Sequence, residues 1–287
     1  LLLSAILVIS GIGFKISVVP FHSWAPDTYE GAPLPITAYL SVSSKATGFV
    51  ALIVLLTKVF ESSGQSWGVI LAIVAGATMT LGNLVALQQT NPVRLLAYSS
   101  ISQAGFIIAP LAVSGITGNY QDGIFASVTY LIIYAFMNIG AFLSVHLFTN
   151  FTKSDNFYEW GGIAKHSPLT GVLTTVFFFS LAGIPPLGGW FAKFVVFRSL
   201  LSTGEIIGVS LAIVGAINAV IALVYYARIS KVIWMDELKN PEEEKSFEFQ
   251  SPLKVVGALT VLITFVSGIF PGIFSYLGEV SSIFFGN

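Results

Sequence analysis

Long apolar runs, each close to the length of a membrane span, alternate along this chain with short polar joints. A hydrocarbon core about 30 Å thick takes about 20 helical residues, and on that ruler the pattern predicts about eight transmembrane helices. They lie near residues 1–30, 34–59, 66–89, 92–115, 121–150, 168–201, 205–235 and 252–283. The fold class that follows is an all-α polytopic membrane protein. Most joints are short. The exceptions are FTKSDNFYEWGGIAKHS after the fifth span and ISKVIWMDELKNPEEEKSFEFQS before the last.

Two spans carry breakers in mid-course. The first holds GFKISVVPFHSWAPDTYEGAP (13–33), where Pro20 and Pro26 each remove a backbone donor; the sixth holds LAGIPPLGGWFAKFVVFRS, with Gly183, Pro185 and Pro186. Irregular backbone survives at membrane depth where it is buried in protein or lines water. Pro20 precedes Trp24 by four residues as Pro186 precedes Trp190, and Asp27 and Lys193 follow three further on. The two broken spans are an odd number of spans apart, which turns the second copy over. Broken helices in inverted repeats are a transporter signature, with the site near the midplane. The expected division is then 1–60 as the last two helices of a first repeat, 61–237 as a complete five-helix second repeat, and 238–287 as a charged cytoplasmic loop and a final helix. On this division the chain is expected to be part of a longer polypeptide, with three or more spans on its N-terminal side. Its first residue, a leucine inside an apolar run, agrees.

Composition narrows the chemistry. Hydrophobic residues make up 55% and charged residues 9% of the chain, and the mean hydropathy is +0.85. A net charge of -1 gives no field for nucleic acid. Without cysteine there are no disulfides, thiolate metal sites or cysteine-held iron–sulfur clusters, and His22, His146 and His166 are too scattered for haem or zinc. No metal or cofactor of its own is expected, so redox chemistry belongs elsewhere. Threaded alternately through the bilayer, one side receives Arg94, Lys153, Lys165, Arg228, Lys231, Lys239, Lys245 and Lys254, and the positive-inside rule makes it cytoplasmic. Glu242, Glu243 and Glu244 fall on that side as a solvated run.

Lys15, Lys45 and Lys193 fall at membrane depth, where an ionisable group is costly and marks an ion or proton path unless it snorkels to the interface. Snorkelling suits Lys58 and Arg198. Lys45, well inside its span, is too deep for it. A lysine stripped of solvent loads and releases a proton more readily than one in water, so each of the three is a candidate relay station. Hydroxyls and amides that could connect them include Ser41, Ser43, Ser44, Thr47, Ser99, Ser100, Ser102 and Gln103, with Tyr130, Tyr134 and Asn138 spaced at four along one helical face. The same groups could equally be glue between helices. His22 is either a relay member or a hydrogen-bonded helix end, His146 likewise. Asp27 and Glu30 either tie down the break or bind a cation.

The stretches FKISVVPFHSWAPDTYEGAPLPITAYLSVSSKATGF, RLLAYSSISQAGF and LAGIPPLGGWFAKF together resemble the N-type antiporter-like subunits of the proton-pumping NADH:quinone oxidoreductase, respiratory complex I, including their counterparts in mitochondria and in the photosynthetic NDH complex. The resemblance covers the whole chain, and Tyr-Glu-Gly-Ala-Pro followed by Ser-Ser-Lys points to the N type. It implies an antiporter-like inverted-repeat fold of about fourteen helices, of which this chain carries the seventh onward. Lys15 matches the family lysine of the first broken helix, paired with a glutamate two helices earlier; Lys45 matches the connecting lysine; Lys193 matches the lysine of the second broken helix. The resemblance further implies a proton-translocating subunit without a redox centre. Its partners would be the antiporter-like subunit M, the small subunits K and J and the lipid bilayer. NADH or ferredoxin, FMN, iron–sulfur clusters and quinone would sit in partner subunits. The setting implied is a bacterial inner membrane or a thylakoid. Two other readings stay open: a subunit of a multisubunit cation/proton antiporter, and a scaffold that keeps the lysines by descent.

Overall fold

The structure is a computed structural model that describes residues 2–237 and 251–286. Among these residues it is helical, with no strand. The charged run that includes Lys239, Glu242, Glu243, Glu244 and Lys245 lies outside the described residues.

The first expected span is divided into α1 (Leu2–Ile16) and α2 (Trp24–Gly31). The second is one long rod, Leu34–Val59, made of α3 (Leu34–Tyr39), a π-helical turn at Leu40–Ser44, α4 (Lys45–Val54) and a second π turn at Leu55–Val59. Then come α5 (Gly64–Ala86), α6 (Pro92–Thr117) and α7 (Tyr120–Thr152). The joint after α7 is a packed corner: Phe157 and Trp160 are fully buried, and Trp160 lies 5.2 Å from the Phe148 ring. A short α8 (Ile163–His166) leads into the second broken span, α9 (Pro168–Ala182) and α10 (Gly188–Ser202), followed by α11 (Ile206–Met235).

The last span differs from expectation. It is interrupted as well, into α12 (Ser251–Ile269) and α13 (Gly272–Gly286). Pro271 has no N–H to continue the ladder and disfavours helical backbone at Phe270, so the helix stops and restarts there. Among the described residues, six segments are long and apolar enough to cross a bilayer by themselves: Leu34–Val59, Glu61–Ala86, Pro92–Thr117, Tyr120–Thr152, Ile206–Met235 and Pro252–Ile269. The two broken spans reach membrane length only as pairs of half-helices.

α6 is the axis of the molecule. Its most apolar window is 94% buried, against 33% for α11 at the periphery. Its start is fixed locally: Asn91 accepts from the backbone N–H of Val93 (2.8 Å) and Arg94 (3.2 Å), Pro92 occupies the first turn, and Gly118 in the left-handed region (φ 76°) ends it. Glycines let α5 pack against it backbone to backbone. A Cβ on Gly82 would lie 2.6 Å from the Ser102 nitrogen, and one on Gly68 would lie 2.7 Å from the Ala112 carbonyl. With no hydrophobic drive between helices in lipid, such close contact is what holds them.

Candidate functional site

Both breaks are built the same way. α1 ends with Ser17 in the left-handed region (φ 61°), its N–H bonded to the Phe14 carbonyl (3.1 Å) and the Val18 N–H to Gly13 (3.0 Å). α9 ends with Gly183 (φ 97°), its N–H bonded to Ser180 (2.9 Å) and the Ile184 N–H to Phe179 (3.0 Å). Each pair of bonds is a Schellman cap. In each, a proline follows the left-handed residue by three positions, Pro20 and Pro186, with a cis bond before it. Pro26 breaks nothing: it sits in the first turn of α2, where its missing N–H has no intrahelical partner to lose.

The second break holds a charge. Lys193, on α10 and 5% exposed, donates from Nζ to the carbonyls of Leu181 (3.1 Å) and Ala182 (2.5 Å) at the end of α9, and lies 5.3 Å from the Phe106 ring centroid. The sequence explains why those carbonyls are available. In a continuous helix they would accept from residues 185 and 186, which are prolines without N–H groups. The negative end of α9 and the π face of Phe106 therefore act together on the ammonium. Gly183 is needed for two reasons, its positive φ and the Lys193 side chain, whose Cδ would lie 2.7 Å from a Cβ there.

Lys45 is 1% exposed. It follows directly on the π turn at Leu40–Ser44 and donates to Ser100 on α6, to Oγ at 2.7 Å and to the carbonyl at 3.3 Å. The Tyr29 ring lies 5.9 Å from its Nζ. Neither lysine has a carboxylate partner among the described residues; the ion pairs there are those of Arg94 with Asp27 (2.8 Å) and Glu30 (2.5 Å), which tie α2 to the start of α6. Asp27 and Glu30 thus brace the break.

Gln103 shares a partner with Lys193. Gln103, a turn beyond Ser100 on α6, donates from Nε2 to the same Leu181 carbonyl that Lys193 uses (3.2 Å) and accepts from the Tyr130 hydroxyl. The α7 stripe follows this line. Tyr130 meets Gln103, the Tyr134 hydroxyl lies against Ser100 without closing a hydrogen bond, and Asn138 donates to Ser41 (2.8 Å) at the π turn. Ser44 stays at the edge, its carbonyl accepting from Thr47 (2.8 Å). His22 remains in the first break, beside the Pro20 carbonyl and without a hydrogen bond to either lysine.

Lys15 is not brought in. Its stem lies along Gly48, one turn past Lys45, and its side chain is exposed on the outer face of α1. Sequence reasoning also passed over Asn83, Asn218, Tyr225 and Tyr226, all buried between α5, α6 and α11. The signal was present as asparagines and a Tyr-Tyr pair in otherwise apolar helices.

Residues 1–221 match the family described as NADH:quinone oxidoreductase/Mrp antiporter, transmembrane. The chain belongs to this family. A Desulforamulus reducens protein named NADH-quinone oxidoreductase subunit N is 36% identical over 272 residues, covering 95% of this chain and 55% of that protein. A Rippkaea orientalis protein named NAD(P)H-quinone oxidoreductase subunit 2 is 41% identical over 277 residues, covering 94% and 52%. The chain thus spans about half the length of the curated relatives it matches. Among solved structures, respiratory complex I from Thermus thermophilus with bound aureothin matches at 25% identity with a TM-score of 0.75, over 96% of this chain and 58% of the matched one. The Mrp complex from Dietzia sp. DQ12-45-1b shares the fold at 20% identity, with a TM-score of 0.87 over 98% and 59%. This chain is an integral membrane protein of the antiporter-like class.

Proposed function

We propose that this chain is the proton-relaying part of a membrane-arm subunit of an NADH (or related donor):quinone oxidoreductase, without a redox centre of its own. The observation that carries the reading is the placement of two buried lysines beside one stretch of α6, Lys45 at Ser100 and Lys193 at the carbonyl shared with Gln103. Held by carbonyls, hydroxyls and ring faces in place of a carboxylate, each amine can exist with or without its proton as neighbouring charge changes. Proton movement would be driven by conformational or electrostatic coupling from a quinone site in neighbouring subunits. Those partners would be the antiporter-like subunit M and the small subunits K and J, with NADH or ferredoxin, FMN, iron–sulfur clusters and quinone bound outside this chain. A bacterial inner membrane or a thylakoid is the setting. The matching architecture of the two breaks supports the inverted-repeat division at residues 60 and 237, and Lys15 takes its place in the path against protein that packs on the exposed face of α1.

The test is proton pumping by the reconstituted complex. With Lys45→Ala or Lys193→Ala, assembly should persist, because a small apolar side chain is cheaper at membrane depth than lysine. Pumping should fall by about tenfold or more, the consequence of about 1.4 kcal/mol or more on the transfer barrier. Normal pumping by both variants would refute the relay. The fold shared with the Mrp complex keeps a cation/proton antiporter subunit as the second reading. Proton movement driven by a sodium gradient and indifferent to quinone reduction would favour it.

A further inference from the structure

Trp24 and Trp190 hold the same place in the two breaks, four residues after Pro20 and Pro186, yet they are used differently. The Trp24 indole donates to the Phe14 carbonyl at the end of α1 (2.7 Å), so the first break is closed by its own two half-helices. In the second break the corresponding carbonyl, that of Ser180, is met by glycine backbone. The Gly189 N–H donates to Ser180 Oγ (3.1 Å), and a Cβ on Gly189 would overlap the Ser180 carbonyl oxygen. The Trp190 indole turns to the last span instead and donates to the Gly268 carbonyl on α12 (3.2 Å).

That carbonyl is available because the last span is interrupted. In a continuous helix it would accept from the Gly272 N–H, and the stop at Phe270 and Pro271 separates the two. Small residues bring α12 onto the break itself. A Cβ on Gly268 would overlap the Pro186 carbonyl oxygen and lie 2.6 Å from the Leu187 carbonyl carbon, and one on Gly188 would overlap the Ser267 hydroxyl. Ser267 is fully buried, with its hydroxyl turned back to the Thr264 carbonyl (3.1 Å). The loop of the second break therefore lies against α12 backbone to backbone, and one side-chain hydrogen bond ties the first turn of α10 to the end of that helix.

We propose that the interrupted last span is a clasp on the second break: the Gly268 carbonyl, through Trp190, fixes the register of α10 against α9 and so positions Lys193. Lys193 follows Trp190 by three residues on α10, and its Nζ reaches the Leu181 and Ala182 carbonyls while α10 keeps this register. A turn of α10 by one residue, about 100°, would carry the amine off both. Trp190 and Gly268 are positioning residues, acting through the backbone that carries the lysine. Lys45 is held by Ser100 on α6, so the clasp bears on one lysine and leaves the other alone. The inference rests on the relay reading of Lys193.

The experiment compares Trp190→Phe, Pro271→Ala and Lys193→Ala in the complete membrane complex. It reads acetylation of Lys193 relative to Lys45 by acetic anhydride, protons pumped per quinone reduced, and the melting temperature. Trp190→Phe removes the indole N–H and keeps a ring beside Phe191 and Phe194, both 6.0 Å away in the native protein. Pro271→Ala lets the Gly272 N–H reclaim the Gly268 carbonyl. In both, Lys193 acetylation relative to Lys45 should rise about two- to tenfold, the ratio that one neutral hydrogen bond corresponds to, and pumping should fall by a similar factor. The melting temperature should move by less than about 4 °C. Unchanged Lys193 acetylation in both variants would overturn the clasp, whatever pumping does, and so would a rise in acetylation with normal pumping. Both lysines becoming more reactive together as the melting temperature falls would make α12 general packing and overturn it as well. In each of these cases an inactive Lys193→Ala leaves the relay standing, whereas normal pumping by Lys193→Ala overturns both readings.

Discussion

At the scale of single residues, the site depends on what each side chain cannot do. Prolines at 185 and 186 cannot donate, and that leaves the Leu181 and Ala182 carbonyls for Lys193. The proposed relay requires a side chain that can give up its proton, and arginine keeps its charge at every accessible pH. Lys193→Arg is therefore expected to assemble and fail to pump, and proton translocation measured beside quinone reduction in vesicles checks this. Gly183 allows both the left-handed turn and the lysine stem. Gly183→Ala should cost about 1–2 kcal/mol from the backbone alone, read as a lower melting temperature of the purified complex. Pumping should fall further than stability does, because the added methyl meets Lys193 directly.

Among the elements, the breaks and the axial helix divide the work. Replacing Pro185 and Pro186 together with alanine restores two backbone donors and should draw the α9 carbonyls back into a helix ladder. The expected result is an assembled complex that does not pump; native activity in this double variant would mean that the break only shapes packing. The brace between α2 and α6 is a different kind of contact. Arg94 is 29% exposed and Asp27 76%, so solvent screens most of the attraction. Arg94→Gln should change stability by less than about 1 kcal/mol and leave pumping intact, which a melting curve and a vesicle assay together decide.

At the scale of the whole molecule, the outer face of α1 combines exposed apolar side chains with a lysine. Leu3, Leu7 and Phe14 are exposed there, and Lys15 is exposed with them. Apolar side chains sit well in lipid, but a lysine at this depth costs about 2.5–3.5 kcal/mol on insertion scales. In the assembled complex this face should therefore be covered by protein that places a carboxylate within salt-bridge or one-water distance of Lys15. A structure of the complete complex tests the point, and acyl chains packed around the Lys15 ammonium would contradict it.

Membrane class, span positions and the two central breaks were legible in the sequence because they follow from run length, proline chemistry and the price of charge in lipid, all local properties. Spacing at four put Tyr130, Tyr134 and Asn138 on one face of α7, and the resemblance of the motifs to the N-type subunits pointed to the family. The interruption at Pro271 was also a local signal, lost within a continuous apolar run. Partners were not legible. Whether a serine meets lysine, tyrosine or lipid depends on which helix faces it, and apolar helices are interchangeable in sequence. Only the packed structure could set Gln103 and Lys193 on one carbonyl, join Tyr226 on α11 to Ser99 some 127 positions away, and leave Lys15 outside while Lys45 is sealed within. Those outcomes are fixed by close backbone approach around α6, which depends on how glycines of different helices meet in space.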